Sequence, residues 1–140
     1  MVKIEWDGSL SVGIQLIDEQ HKMLIQRLQA LVHAIETYQS VNEIVKTLDF
    51  LIEYTNFHFS TEEKHMKEMH YPGLEYHSTQ HEEFKATLNE LTVDFEEDGA
   101  TRALAEAVNT FLMSWLVTHI KAVDLQFGTF LTQKGVSLAS

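Results

Sequence analysis

Cysteine is absent from this 140-residue sequence, and basic residues, proline and long apolar runs are scarce. Without a thiol the chain cannot form disulfides, thiolate zinc sites, iron–sulfur clusters or thiol nucleophiles, so histidine and carboxylate groups are its available metal ligands. No apolar run approaches the roughly 20 residues of a membrane-spanning helix, and the N-terminus lacks an apolar signal-peptide segment. We therefore expect a soluble, cytoplasmic chain that makes no membrane contact itself.

The shortage of basic residues also limits the expected partners. Ten lysines and arginines are outnumbered by 21 aspartates and glutamates, which gives a formal net charge of -11. Recognition of phosphate groups requires clustered positive charge, so we do not expect binding to nucleic acid or to anionic membranes. The sequence gives no indication of the oligomeric state.

Length and apolar content predict one domain over residues 1–140. The hydrophobic fraction is 44%, enough for a core that needs no disulfide. Residues 1–17 alternate between apolar and polar side chains, and this period-two pattern is too isolated to form a sheet. We interpret the segment as an extended arm that lies across a helical bundle of residues 18–131. The alternating apolar residues are Leu10, Val12, Ile14 and Leu16.

Capping signals divide the first half of the bundle into two helices. Asp18 is placed as the N-cap of the first helix, which should run to about Tyr38. The sequence Ser40-Val-Asn-Glu43 has the spacing of a capping box and should open a second helix that ends near His70.

Two breaks define the remaining helices. Pro72, the only proline, marks the break before a third helix. Residues 96–99 form the next predicted turn, and a fourth helix should start at about Thr101. Short connections between four helices predict an all-α, up-down-up-down four-helix bundle with an extended N-terminal arm.

Five histidines and two carboxylates recur at spacings that direct them inward from these helices. Residues four apart on an α-helix face the same neighbour, as His58 and Glu62 should. His119 and Asp124 are five apart, and a regular helix would rotate them about 140° from each other. If both bind one cluster, the helix must be distorted, so we predict a π-bulge or break there; Gly128 is consistent with a frayed or re-started last segment. The candidates are His21, His58, Glu62, His77, His81, His119 and Asp124.

Any one of these histidines alone would be better explained as a hydrogen-bonded core residue. Seven ionisable side chains buried in one bundle would cost several kcal/mol without partners, and bound metal removes that cost. The candidates lie in four stretches, Asp18-Glu-Gln-His21, His58-Phe-Ser-Thr-Glu62-Glu63, His77-Ser-Thr-Gln-His81 and His119-Ile-Lys-Ala-Val-Asp124. Taken together, these stretches resemble the hemerythrin family in order and spacing, and the resemblance runs from Trp6-Asp7 to the end of the fourth helix.

The resemblance implies two non-haem irons joined by a bridging oxo or hydroxo group. It implies that His77, His81 and His119 hold one iron. The other iron would be held by His21 and His58. Glu62 and Asp124 would bridge the two metals. If each iron is six-coordinate, this set leaves one position open, and the resemblance places that position on the iron with two histidines, where dioxygen binds.

The ligand types indicate how such a centre would react with oxygen. Carboxylate-rich di-iron enzymes stabilise high-valent iron, whereas neutral imidazoles should disfavour oxidation beyond the ferric state. We therefore expect reversible two-electron binding of O₂ without O–O cleavage, for oxygen carriage, storage or sensing rather than for enzymatic activity. Small anions such as azide should enter the open position in the diferric state.

Three other interpretations remain open. The same centre could serve a metal-dependent oxidase or a peroxide-consuming enzyme. A phosphotransfer bundle requires an exposed histidine, and His33 is the helical candidate. The ferritin-like class uses paired Glu-x-x-His motifs, of which only Glu62-Glu-Lys-His65 occurs here. His65 is thus a minor ligand candidate, whereas His33 and His70 are expected to be solvated or capping residues.

Several apolar residues lie within a turn or two of the candidate ligands. Ordinary core packing is the default explanation for them. The resemblance favours Leu116 and Ile120 as the wall of an oxygen pocket that keeps out water. The residues are Leu24, Leu28, Phe57, Trp115, Leu116 and Ile120.

Overall fold

The computed structural model describes residues 5–136 and 138, which form an all-α bundle without strands in this part of the chain. Helix α1 spans Gln15–Glu36, α2 spans Val41–Glu68 and α3 spans Leu74–Asp98. A fourth helix occupies residues 102–133. Short connections make successive helices antiparallel neighbours, which confirms the predicted up-down-up-down bundle. None of the described helices combines the length and apolar character needed to cross a membrane.

The N-terminal arm packs against the bundle, but its junction with α1 differs from the prediction. Helix α1 begins at Gln15 with Ile14 at the N-cap, so the assignment of Asp18 as N-cap was wrong. Asp18 lies in the first turn and holds the arm instead. Its carboxylate accepts hydrogen bonds from the Val12 amide at 2.8 Å and from the Ser11 hydroxyl at 2.6 Å. The arm thereby buries Leu10, Val12 and Ile14.

The arm contacts the fourth helix at Gly128. A Cβ atom at this position would lie 2.2 Å from the Val12 carbonyl oxygen, so a residue other than glycine would force the two backbones apart. Gly128 is buried within the α-helical segment Leu125–Gln133. It therefore marks a close contact with the arm and not a frayed or re-started end. Upstream of Val12, the arm forms a 3₁₀ turn at Gly8–Leu10.

Helices α1 and α2 end in the same C-terminal motif. Tyr38 and His70, each two residues past its helix, have positive φ angles of 55° and 51°. After α2, the Tyr71 amide donates to the Met66 carbonyl at 2.9 Å, which is the Schellman pattern. Both helices therefore end two residues before the predicted positions. His70 is a capping residue, one of the two roles expected for it.

The predicted starts of α2 and of the fourth helix are confirmed. The Ser40 side chain accepts a hydrogen bond from the amide three residues on at 3.2 Å, and Thr101 makes the equivalent bond at 3.0 Å. The turn predicted at 96–99 was partly wrong, since residues 96–98 continue α3. The chain turns at Gly99, whose φ of 78° favours glycine.

The fourth helix contains two π-helical segments. The second was predicted from the five-residue spacing of His119 and Asp124, whereas nothing in the sequence indicated the first. Apolar residues from the arm and from all four helices form one continuous core around these elements. The consecutive segments are Arg102–Ala107 (α), Val108–Met113 (π), Ser114–His119 (α), Ile120–Asp124 (π) and Leu125–Gln133 (α).

Candidate metal centre

All seven candidate ligands lie inside the bundle, and every helix contributes at least one. Each of these side chains is at most 3% exposed. The spacing of four along α2 and α3 directs each pair toward the bundle axis, as helix geometry requires. The residues are His21 on α1, His58 and Glu62 on α2, His77 and His81 on α3, and His119 and Asp124 on the fourth helix.

The ligands form two groups that share both carboxylates. One group adds His77, His81 and His119 to the shared acids, and we call it the three-histidine half. The other adds His21 and His58, and we call it the two-histidine half. Within each group, one ligand atom from each residue lies within 4.8 Å of those of all the others.

The two carboxylates lie between these halves. Asp124 faces both, because its Oδ1 atom is 2.6 Å from His77 Nε2 while its Oδ2 atom is 2.9 Å from His21 Nε2. The Glu62 Oε1 atom lies 3.1 Å from His58 Nε2 and 3.3 Å from His81 Nε2. Each acid therefore contacts imidazoles of both halves, the arrangement that a pair of bridging carboxylates requires.

The π-helical segment Ile120–Asp124 brings the last carboxylate into the site. With the wider turn, Asp124 Oδ1 lies 3.4 Å from His119 Nε2, although a regular helix would direct the two side chains apart. Local distortions of this kind are frequent at functional sites. The irregularity therefore serves the convergence of ligands.

The inward-facing atoms of this cluster lie close to one another, but none of them makes a hydrogen bond of suitable geometry. The Nε2 atoms of all five imidazoles and all four oxygens of Glu62 and Asp124 are buried without a hydrogen-bond partner. Unpaired buried polar atoms are costly, and so many of them converging on two points fit a pair of bound cations. The mixture of imidazole and carboxylate donors suits iron and excludes a thiolate-dependent site.

The outward-facing atoms of three imidazoles are hydrogen-bonded to residues that lie within the family-like stretches but were not predicted to belong to the site. Gln20 accepts from His58 Nδ1 at 2.8 Å. Glu63 lies 2.8 Å from His81 Nδ1, and Gln80 lies 2.6 Å from His119 Nδ1. Such bonds fix the tautomer and orientation of a ligand ring, leaving Nε2 free to bind metal.

These outer residues follow a common rule. Each is the sequence neighbour of a ligand on its own helix but contacts a ligand on the next helix. Adjacent residues are about 100° apart around a helix, so when one faces the axis its neighbour faces the adjoining helix. A glutamine or glutamate next to a predicted ligand in the sequence was therefore the feature from which these hydrogen-bond partners could have been predicted. The pairs are Gln20 on α1 with His58 on α2, Glu63 on α2 with His81 on α3, and Gln80 on α3 with His119 on the fourth helix.

The electrostatics of the cluster favour ionised carboxylates. Burial and the Asp124 charge raise the pKa of Glu62, but His58 and His81 outweigh them and hold this pKa below its usual value. Burial likewise raises the pKa of Asp124, and neighbouring imidazoles, first among them His21, lower it well below normal. An ionised carboxylate is the form that binds a metal cation.

The apolar candidates fall into two sets. Leu24, Leu28, Leu116 and Ile120 are fully buried, and Trp115 is half-buried and stacks on the His119 ring at a centroid distance of 4.6 Å. Phe57 is 56% exposed, so its inclusion among possible neighbours of the site was wrong. Consecutive residues of α2 face different directions, and His58 takes the inward one.

The remaining histidine candidates lie outside the cluster. His33 is exposed on α1. His65 Nδ1 lies 3.8 Å from the Glu68 carboxylate, in a weak pair near the end of α2. Neither belongs to the two groups of converging donors.

Comparisons with known proteins agree with this geometry. The family model described as the Hemerythrin HHE cation binding domain matches residues 12–131. Bacteriohemerythrin from Stenotrophomonas maltophilia (strain R551-3) is 32% identical over 124 residues, which cover 89% of this chain and 78% of that protein. Myohemerythrin from Sipunculus nudus is 32% identical over 122 residues, covering 87% and 88%. A crystal structure of a leucine-to-alanine mutant of hemerythrin matches with a TM-score of 0.80 and 27% identity, over 94% of this chain and 99% of that one. The chain belongs to the hemerythrin family.

Proposed function

We propose that this chain binds dioxygen reversibly at a non-haem di-iron centre, as an oxygen carrier, store or sensory module. The observation that carries the proposal is the pair of histidine groups that share two buried carboxylates, with every inward donor atom unpaired. Membership in the hemerythrin family supports the same conclusion. We further propose that residues 1–140 form one such domain.

Specific residues would hold the two irons. His77, His81 and His119 would bind one of them. The two-histidine half, His21 and His58, would bind the other and leave a coordination position for an external ligand. Glu62 and Asp124 would bridge the metals, together with an oxo or hydroxo group. The irons would supply reversible electron exchange with dioxygen, which no protein side chain here provides.

The protein's own contribution is to orient the ligands and exclude water. Gln20, Glu63 and Gln80 fix three imidazole rings with Nε2 directed inward. Leu24 and Leu116, each one turn from a candidate ligand along its helix, are fully buried and would limit hydration of the centre. A dry site disfavours the proton transfer that would release reduced oxygen and leave the metals ferric. A ligand set with more neutral imidazoles than carboxylates favours oxygen binding over catalysis. Buried apolar residues around the centre would exclude organic substrates.

The proposed function is tested by anaerobic reconstitution with ferrous iron, followed by metal analysis and an oxygen titration monitored by absorption. We expect two irons per chain and an oxygenated spectrum that disappears when oxygen is removed. Azide should generate a new absorption band in the diferric protein, since a small anion fits the position left for an external ligand. His33→Ala serves as the matched control, because this exposed histidine lies outside the cluster.

Other results would contradict the proposal. One metal ion per chain, or zinc bound in preference to iron under anaerobic conditions, would rule out the di-iron centre. Sustained oxygen or peroxide consumption with a reductant, without a stable oxygenated form, would indicate the oxidase or peroxide-consuming alternative.

A further inference from the structure

Thr55 is a buried polar residue of α2 that has no place in the ligand set. Its side chain is 1% exposed, and its hydroxyl oxygen is buried without any hydrogen-bond partner. A hydroxyl left unpaired in a protein interior destabilises the folded state, because it has lost its hydrogen bonds to water. Such a group therefore requires an explanation in terms of strain, an unseen ligand or function.

The usual explanation for a threonine within a helix does not apply. A threonine hydroxyl in a helix commonly donates to the carbonyl four residues earlier, which for Thr55 would be that of Leu51. Seven other threonines of this chain make that bond, at 2.7 to 3.1 Å. The Thr55 hydroxyl differs from them in being both buried and unpaired. The seven are Thr37, Thr47, Thr61, Thr79, Thr87, Thr92 and Thr132.

The position of Thr55 along α2 relates it to the metal centre. Thr55 precedes His58 by three residues, which is about 4.5 Å along the axis. It precedes Glu62 by seven residues, so the two side chains leave the helix in directions only about 20° apart. Thr55 therefore faces the interior on the same side of α2 as Glu62, about 10.5 Å from it along the axis and about one turn from His58.

The antiparallel arrangement of the helices shows which residues lie at the same height along the bundle axis as Thr55. The rings of His21 and His58 are 4.8 Å apart, so the residue one turn after His21 and the residue one turn before His58 lie on the same side of the centre. The same relation applies to α3 and the fourth helix. The resulting layer consists of Leu24, Thr55, Phe84 and Leu116, each at most 1% exposed.

Thr55 is thus the polar member of an otherwise hydrocarbon layer. That layer includes Leu116, which the family resemblance favours as part of the wall of the oxygen pocket. We propose that the Thr55 hydroxyl donates a hydrogen bond to the small ligand held at the two-histidine half. The inference rests on the proposed di-iron function and assigns a ligand-positioning residue within it.

The surroundings of Thr55 also offer a competing explanation for its unpaired hydroxyl. Thr55 also lines a shallow groove between α2 and α3, together with Asn56, Lys85 and Asn89. A water molecule entering from this groove could satisfy the hydroxyl. In that case Thr55 would contribute to the stability of the iron-free protein and would not affect ligand binding.

Thr55→Val separates the two explanations, because valine retains the shape and removes the hydroxyl. The first measurement is the azide dissociation constant of the diferric 140-residue chain, with iron content determined in parallel. We expect two irons and azide binding weaker by roughly 10- to 100-fold, the value of one hydrogen bond to an anion. Thr55→Ser should stay within about threefold of wild type, since it keeps the donor.

The second measurement is denaturant unfolding of the iron-free chain. Thr55→Val should leave the midpoint unchanged or raise it, because the substitution removes an unpaired buried hydroxyl. Thr92→Val is the matched control: its hydroxyl is part-buried and already bonded to the Leu88 carbonyl at 2.9 Å. We expect this control to leave azide affinity unchanged.

Three results would overturn the inference. Wild-type azide affinity in Thr55→Val, combined with a lower unfolding midpoint, would assign Thr55 a structural role. An equal loss of affinity in Thr55→Ser and Thr55→Val would show that the methyl group matters and not the hydroxyl. A wild-type chain that binds no iron would overturn the proposed function, and this inference with it, so the two failures are distinguishable.

Discussion

The two halves of the metal centre differ in how firmly the protein holds their imidazoles. In the three-histidine half, the His81 ring stacks on the Phe59 ring with a centroid distance of 3.9 Å and an interplanar angle of 6°. The Nδ1 atom of His81 also contacts the Glu63 carboxylate. His119 stacks on Trp115 at an angle of 12°. In the two-histidine half, His58 and His21 meet edge to face, 72° apart, and neither ring is stacked. The rings of His81 and His119 are fixed both by stacking and by a hydrogen bond, whereas His58 has only its hydrogen bond and His21 has neither. His77, in the three-histidine half, also has neither.

The outer partners differ in charge as well. The partner of His58 is the neutral amide of Gln20, which is 6% exposed. The partner of His81 is a carboxylate, whose other oxygen accepts from the Ser78 hydroxyl at 2.9 Å. A carboxylate makes the opposite ring nitrogen a stronger donor to metal. In the proposed di-iron centre, this difference would let one half retain its iron, while the other half leaves its iron responsive to an external ligand.

The largest expected effect comes from the acids that the two halves share. Glu62→Ala and Asp124→Ala should each lose most of the bound iron and lower the free energy of unfolding of the reconstituted protein. A missing bridge leaves two cations close together and buried imidazoles without partners. Metal analysis after anaerobic reconstitution measures the first effect, and denaturant unfolding measures the second.

His33→Ala is the control for these variants and should retain both irons. If the control loses iron as completely as the acid variants do, the ligand assignment is wrong. If an acid variant keeps one iron at full occupancy, that iron does not depend on the bridging carboxylate. The two halves would then bind metal independently of each other.

The next largest effect tests the apolar wall. Leu116 and Ile120 are both fully buried, before and after His119. Leu116→Ala should cost roughly 2–5 kcal/mol in stability because it leaves a cavity. Iron content should remain near that of wild type, while the oxygenated protein converts to the ferric form faster because water reaches the site.

The measurement for Leu116→Ala is the decay of the oxygenated absorption band in one buffer, with Ile120→Ala as the companion variant. Wild-type decay rates in both variants would mean that neither residue guards the site. A loss of iron in Leu116→Ala would place the residue among the supports of the ligands.

The inner ligands could be predicted from the sequence because helix geometry relates spacing to direction. A separation of four predicted that His58 and Glu62 converge, and a separation of five predicted the π-helical segment before Asp124. These inferences need only residues of one helix. The family resemblance added the grouping of ligands from different helices.

The features that were missed depend on contacts between separate elements. Glu63 stands beside a predicted ligand, but its partner His81 lies on another helix, and spacing along one helix does not reveal which neighbour it faces. Asp18 was assigned to a helix end, although it binds the arm, because capping residues and arm-binding residues are the same types. Gly128 was interpreted locally, whereas its role depends on the distant Val12 backbone.

Removal of an outer hydrogen-bond partner should have a smaller effect on iron binding. It also tests which of the two halves holds its ligands more firmly. Glu63→Ala should weaken iron binding by roughly 10–100-fold, the usual cost of removing such a partner. Gln20→Ala should cost less, because a hydrogen bond to a carboxylate is about twice as strong as one between neutral groups. Competition with an iron chelator gives both affinities. A greater loss in Gln20→Ala would mean that the two-histidine half is the more firmly held one.

The smallest expected effect belongs to Ser78, which reaches the centre only through Glu63. Its hydroxyl holds Glu63 Oε1 at 2.9 Å, while Oε2 contacts His81. Ser78→Ala should weaken iron binding by about fivefold or less, since one partly exposed hydrogen bond contributes roughly 1 kcal/mol. Thr79→Ala is the matched control on the same helix: its exposed hydroxyl bonds the Glu75 carbonyl and contacts no part of the centre. In a Glu63→Ala background, Ser78→Ala should have no further effect on iron affinity, because the carboxylate it orients is gone. An additive loss in the double variant would show that Ser78 supports the three-histidine half by a route other than Glu63.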